Sequence, residues 1–192
     1  MIRRISLNTI VHKTQTVYRQ LINVSSRPGH IETVEEELSN YTDFSKATLL
    51  TCVTLFDNEV TYISTSEVME KEVKVLTGAR KAEALSTTDY IISKRSDLKE
   101  EFFTQTKHGV LASPEKSVTI LIDLDSLSEG QTYQLTGPGI KDTQTINIDL
   151  NPSWMELRNQ ACQEFPLGLD LILTDKNNQL MMIPRTTKVE VK

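Results

Sequence analysis

The segment Pro184-Arg185-Thr186-Thr187 sets a guanidinium beside two hydroxyls at the end of an apolar run, Gln179 to Ile183. A planar fork of N–H donors suits a phosphate or phosphonate, and it equally suits a carboxylate in a salt bridge or a subunit contact. Proline cannot donate to a ladder, so the chain is expected to leave its sheet at Pro184 and to present Arg185 at an edge or cleft. Thr136-Gly137-Pro138-Gly139 is a second candidate. Backbone N–H groups around Gly137 and Gly139 could cradle an anion, or the glycines could tighten a strand connection. In Phe165-Pro166-Leu167-Gly168-Leu169-Asp170, a proline and a glycine between a helix and a strand point to a connection with unusual backbone angles.

Other chemistry finds no motif. The chain has no G-x-x-x-x-G-K-[ST] loop, no G-x-G-x-x-G after a strand, no Gly-x-Ser-x-Gly elbow, and no histidine or cysteine pair at metal-ligand spacing. His12, His30 and His108 are scattered, and Cys52 and Cys162 each stand alone in apolar or amphipathic surroundings, as buried thiols in a reducing compartment would. With 21 Lys plus Arg against 26 Asp plus Glu, the net charge is −5 and no basic block exists, which argues against nucleic acid and anionic lipid as partners. No apolar run reaches the ~18–20 residues that span a bilayer, and the N-terminal Met1-Ile2-Arg3-Arg4-Ile5-Ser6 has no apolar stretch behind its arginines. A soluble, cytoplasmic protein is the expectation. The Glu35-Glu36-Glu37 run is most simply a solvated face.

These candidates have to be positioned by the elements around them. Asn8 or Thr9 can cap a helix in which Val11, Val17, Tyr18, Leu21, Ile22 and Ser25 fall near one face, ending at Arg27-Pro28-Gly29. His30 to Val34 reads as extended. Residues 47–56 show helical spacing at Leu49, Leu50, Val53 and Phe56, although their threonines suit a strand; helix is expected. Strands are expected over 60–64, 89–93, 118–124, 132–136 and 145–150, with charged helices from Ser66 to Leu76, closed by Gly78, and from Ser96 to Gln105. Asn151-Pro152 opens a further helix, with Ser153 and Glu156 as a possible capping box. The chain ends in a hairpin, 169–174 with 179–183. Several successive strands look hairpin-linked, and the whole reads as an α/β layered domain with a mixed central sheet flanked by helices.

Residues 165–192, FPLGLDLILTDKNNQLMMIPRTTKVEVK, resemble the ending of the PhnH family, the H subunit of the bacterial carbon–phosphorus lyase complex. There a Pro-x-Gly-(Ile/Leu)-Asp-(Leu/Ile)-(Ile/Phe) segment precedes a hairpin that closes in Pro-Arg-Thr-Thr. Tyr18-Arg19 with Pro28-Gly29, Gly109 with Pro114-Glu115, and Leu135-Thr136-Gly137-Pro138-Gly139-Ile140 match three further family stretches in order. Val24-Ser25 departs from the small and methionine residues usual before the Ser-x-Pro-Gly stop. The resemblance implies one domain over 1–192 whose fold is similar to that of pyridoxal-phosphate-dependent transferases without the cofactor. It implies a homodimer in isolation and a complex with the G, I and J subunits, acting functionally with L. The implied role is a non-radical one, supporting transfer of an alkylphosphonate such as methylphosphonate onto C1′ of the ATP ribose with loss of adenine. The radical step needs a cysteine set that this chain lacks. Arg19 and Asp170 join Arg185, Thr186 and Thr187 in the polar cluster that the resemblance implies, for an anion or for a subunit. No pyridoxal phosphate is expected, because a Schiff-base lysine needs a low-dielectric pocket and these lysines stand in charged contexts. The alternative is a stand-alone, vestigial transferase-like enzyme acting on a small anionic substrate.

Overall fold

The computed structural model describes residues 7–35 and 42–192, with side chains from residue 10 onward in the first stretch. Met1 to Ser6 and the Glu36-Glu37 pair of the acidic run lie outside the described residues, as do the side chains of Asn8 and Thr9. Three helices form one layer: α1 (Leu7–Ser26), α2 (Lys46–Leu55) and α3 (Glu67–Thr77). Ser45 caps α2 by accepting from the Thr48 N–H, and Ser66 caps α3 by accepting from the Met69 N–H. α3 stops at Gly78, whose φ of 75° no side-chain-bearing residue adopts cheaply. In α2 every residue from Ala47 to Cys52 is buried, Thr48 and Thr51 included, so this stretch has no solvent face. That is why its period was ambiguous in sequence.

α1 departs from expectation in how its apolar residues divide. Val17, Leu21 and Val24 are 0, 6 and 0 % exposed, whereas Val11, Tyr18 and Ile22 are 60, 52 and 50 % exposed. The apolar stripe is too wide for one partner, and only its inner part reaches the core.

The strands are β1 (Glu32–Thr33), β2 (Thr61–Ser64), β3 (Arg80–Lys81), β4 (Tyr90–Lys94), β5 (His108–Val110) and β6 (Ser113–Ser117). They continue as β7 (Thr119–Leu124), β8 (Gln131–Thr136), β9 (Gln144–Ile148), β10 (Asp170–Asp175), β11 (Gln179–Ile183) and β12 (Lys188–Val191). The main sheet has the order β1-β11-β10-β7-β4-β2-β3. Its five strands from β10 to β3 are parallel, and β11 and β1 add antiparallel at one edge. The sheet is mixed, as expected. The hairpin-linked succession holds for β5 and β6, β8 and β9, and β10 and β11, which pair antiparallel with their neighbours in sequence, whereas β4, β7 and β10 are parallel and joined by crossovers. β8 and β9 lie in a separate sheet, completed by β12, a strand the sequence reading did not contain, and β5 and β6 form a two-stranded sheet of their own.

Two further expectations are corrected. The charged helix over 96–105 is a single 3-10 turn, Arg95–Asp97, followed by the four-residue α4 (Glu101–Thr104). Leu98, Phe102 and Phe103 are all buried, and seating them overrides the helix propensity of the charges between them. The cap of α5 (Pro152–Ala161) is Asn151, which accepts from the Ser153 N–H at 3.0 Å; Ser153 is inside the helix and makes no capping box.

Burial alternates along the central strands. Ile91, Ile120 and Leu171 are in register and face one core with α4, α5 and the β8–β9–β12 sheet; Ile92, Leu121 and Ile172 face a second core under α1, α2 and α3. Both faces are therefore covered, which is why these strands read as unbroken apolar runs. Each fully buried Ile or Leu contributes about 1.5–3 kcal/mol. The chain goes from β2 through α3 to β3 on one face, then works back through β4, β7 and β10 with its connections on the other. Reversing both direction and face keeps every crossover of one hand.

Candidate functional site

At the amino edge of the parallel strands, β11 ends at Ile183 because Pro184 has no donor, and the chain turns, with the Thr187 N–H donating to the Pro184 carbonyl at 2.9 Å. Arg185 does not face open solvent: its side chain is 18 % exposed and lies against Asp170, itself 10 % exposed. The Arg185 backbone N–H and Nη2 each reach the Asp170 carboxylate at 2.7 Å and Nε reaches it at 3.3 Å, while Nη1 donates to the Pro114 carbonyl. Thr187 is buried and Thr186 half-buried. A Cβ on Gly137 would stand 3.0 Å from the Thr186 carbonyl oxygen, and one on Gly139 would stand 2.2 Å from that of Ser26. The candidate turn is thus packed between the chain reversal at 184–187 and the end of α1. Arg19 is elsewhere, exposed on α1, and makes no hydrogen bond to Asp170. The structure brings together Arg185, Asp170, Thr186, Thr187, Gly137 and Gly139, and leaves Arg19 apart.

Sequence reasoning missed the residue that grips this reversal. Arg158 of α5 is 1 % exposed and donates through Nη1 to the Thr187 carbonyl at 2.7 Å and through Nη2 to that of Pro184 at 2.5 Å. Burial pushes its pKa down from the ordinary arginine value, while Cys162 and Asp170 act in the opposite sense. Its only sequence signal was an arginine on the inward side of an amphipathic helix.

The opposite edge of the sheet is open. A cleft of about 500 Å³ lies beyond the carboxyl ends of β4, β7 and β10, walled by the start of α2. Its rim pairs Lys94 with Asp43 at 2.7 Å and Arg95 with Asp125 at 2.8 Å; Arg95 also reaches Asp149 at 3.1 Å, and Lys176 pairs with Asp125. Burial works against the Asp43 carboxylate, but hydrogen bonds from Lys94 and Ser66 outweigh it and hold its pKa below the usual range. Lys176 and Arg95 hold Asp125 low in the same way. Deeper in, Asp123 accepts from the Ser45 N–H at 2.8 Å and from the Thr174 hydroxyl at 3.1 Å, which ties α2 to the sheet. The arrangement is a balanced set of cations and carboxylates, able to meet a charged group of either sign by exchanging one of its own pairs. The signal in the sequence was charge at the carboxyl end of each of these apolar strands: Lys94-Arg95, Asp123 and Asp125, and Asp175-Lys176. It becomes legible only once those strands are known to be parallel, because open α/β sheets bind ligands beyond their carboxyl ends.

Among the described residues no group of three His, Cys, Asp or Glu side chains could hold a metal ion. His108 Nε2 is taken by the Phe103 carbonyl at 2.9 Å, and His30 lies 3.3 Å from Glu32. Cys52 is buried and its thiol pKa is pushed well up; neither cysteine is in a disulfide. No helix of the described residues is long and apolar enough to cross a membrane.

Fold and site together define an α/β protein with a mixed, doubly covered sheet, a locked amino edge and a charged cleft at its carboxyl edge. The chain belongs to the PhnH family of bacterial phosphonate metabolism proteins, which it matches over residues 6–190. It is 27 % identical over 181 residues to a protein of Stutzerimonas stutzeri named as a C-P lyase subunit, HtxG, covering 94 % of this chain and 87 % of that one. It is also 27 % identical over 190 residues to the alpha-D-ribose 1-methylphosphonate 5-triphosphate synthase subunit PhnH of Rhizobium meliloti (strain 1021), covering 94 % and 92 %.

Proposed function

We propose that this chain is a non-radical subunit of a cytoplasmic carbon–phosphorus lyase system. It supports transfer of an alkylphosphonate such as methylphosphonate onto C1′ of the ATP ribose with loss of adenine, and contributes little chemistry of its own. The observation that carries this reading is the family match along 6–190, joined by two relatives that are both named as subunits. Its partners on this reading are the G, I and J subunits and, functionally, L, and the isolated chain is a homodimer. The two cores share one sheet, which supports a single domain over 1–192. We take the mixed sheet as a derivative of the pyridoxal-phosphate transferase fold that dispenses with the cofactor. Lys94 and Lys176 at the cleft are ion-paired at a solvated rim, which is not the dry pocket a Schiff-base lysine needs.

Arg185, with Asp170, Thr186, Thr187, Gly137 and Gly139, serves assembly by fixing the surface around the 184–187 reversal. An anion would first have to displace the Asp170 carboxylate from the guanidinium. The test is co-purification with the G, I and J subunits, followed by the transferase assay with and without this chain. Transfer that needs the chain in the complex supports the reading. Full transfer without it, or turnover of a small anionic substrate by the chain alone, overturns it.

A further inference from the structure

Among the described residues, the outer face of α1 packs against little of the fold. Val11, Tyr18 and Ile22, spaced i, i+7 and i+11, line up on one side of the helix for about 16 Å, each at least half exposed. Exposed apolar residues scattered singly need no explanation, but an aligned row that includes a tyrosine marks an interaction surface. Arg19, exposed beside Tyr18, completes the pair of residue types that most often anchor protein interfaces. The other basic side chains of α1 are His12 and Lys13, and the helix itself carries no carboxylate, although the whole chain has a net charge of −5. Arg19 borders this row and Lys13 falls on the far side of the helix, so the face is an apolar row with an arginine beside it, on an acidic protein.

We propose that this face docks another protein subunit, through an apolar groove on that subunit whose rim carries carboxylates. A second copy of this chain fits it less well. Packing α1 on a partner's α1 would bring two helices together with an arginine on each and no carboxylate to answer it. Setting α1 against an acidic surface elsewhere on a second copy closes into a dimer only where that surface lies on the same two-fold patch as α1. This inference rests on the reading of the chain as a subunit, and names the surface that reading requires.

The experiment co-expresses the tagged full-length chain with the other carbon–phosphorus lyase subunits and measures how much of each is captured. The variants are Tyr18→Ala/Ile22→Asp, Val11→Asp, Arg19→Glu and Arg19→Lys, with Val75→Asp, at a residue 81 % exposed on α3, as the control. All these positions are exposed, so circular dichroism melts and the oligomeric state of the isolated protein should match wild type. Capture should fall about tenfold or more in the first three variants. It should stay near wild type in Arg19→Lys, which keeps the charge, and in Val75→Asp. Unchanged capture in Tyr18→Ala/Ile22→Asp and Val11→Asp overturns the surface, and unchanged capture in Arg19→Glu overturns the carboxylate-bearing partner. An equal loss in Val75→Asp, or loss of self-association with capture intact, also overturns the proposal. If wild type captures no other subunit, the subunit reading itself fails and this inference with it, a result separate from those in which wild type captures and the variants do too.

Discussion

Arg158 and Arg185 hold the same chain reversal in different ways, one by gripping its carbonyls, the other through the Asp170 carboxylate. Arg158 has no carboxylate among its hydrogen-bond partners, so its value lies in the donors it offers to Pro184 and Thr187. Arg158→Met keeps most of the buried stem and leaves both carbonyls without that donor. The Pro184 carbonyl keeps the Thr187 N–H, so one buried carbonyl is left unsatisfied and the variant should lose roughly 1–3 kcal/mol. Urea unfolding should show a lower midpoint at an unchanged slope, and a midpoint equal to wild type would show that the grip contributes nothing. Asp89 locks neighbouring strands in a comparable way, accepting from the Thr61 N–H at 2.8 Å and hydroxyl at 2.7 Å and pairing with Lys107. Burial acts to raise its pKa, but Lys107 and Thr61 outweigh it, so the folded value lies below the unfolded one of about 3.9. The stabilisation is therefore complete above about pH 4 and is lost as pH falls through the folded value. Asp89→Asn should flatten that part of the acid limb of stability against pH; an acid limb as steep as wild type would contradict this.

At the scale of elements, the connections are as demanding as the strands. Gly139 has a φ of 82°, and a Cβ there would stand 2.2 Å from the Ser26 carbonyl oxygen and 2.9 Å from Pro28 Cδ, so the turn after β8 and the exit from α1 touch backbone to backbone. Gly139→Ala should cost at least about 2 kcal/mol, from strained φ and forced separation together, read as a lowered thermal midpoint; a cost of a few tenths would mean that the turn yields freely. Gly137 and Gly139 were visible in the sequence as a possible anion cradle, but their close packing depends on segments about fifty and more than a hundred positions away, and nothing local encodes it. What the sequence did carry was local chemistry: Ser45 and Ser66 beside their helices, Gly78 after one, Pro184 ending a strand. The helix over 96–105 and the undivided face of α1 failed for a shared reason. Spacing reports that residues are apolar or charged, and only packing decides which partner, if any, they meet.

For the whole molecule, the two edges of the sheet differ in kind. The amino edge is closed by a buried polar lock at Asp170 and a partly exposed one at Asp89, whereas the carboxyl edge ends in half-exposed ion pairs around the cleft. Sequence reasoning went to the amino edge, because its prolines, glycines and Pro-Arg-Thr-Thr are the conspicuous words of the chain. The cleft is assembled from ordinary charged residues of β4, β7, β10 and the start of α2, and only the order of the strands gathers them. The contrast can be measured. Arg95 and Asp125 are 42 and 44 % exposed at their side chains, and a pair so solvated contributes little, so Arg95→Ala should leave the urea midpoint almost unmoved. Asp170→Ala strands the guanidinium of Arg185 at 18 % exposure without its counter-charge, a change that costs about 3–5 kcal/mol. Adding Arg185→Met to Asp170→Ala removes the stranded charge and should recover part of the loss, since a buried pair replaced by apolar groups is often nearly neutral. Equal losses in Arg95→Ala and Asp170→Ala would erase the distinction between the edges. Unequal losses in the expected order leave a carboxyl-edge cleft whose own carboxylates can be exchanged for those of a ligand or partner at little expense to the fold.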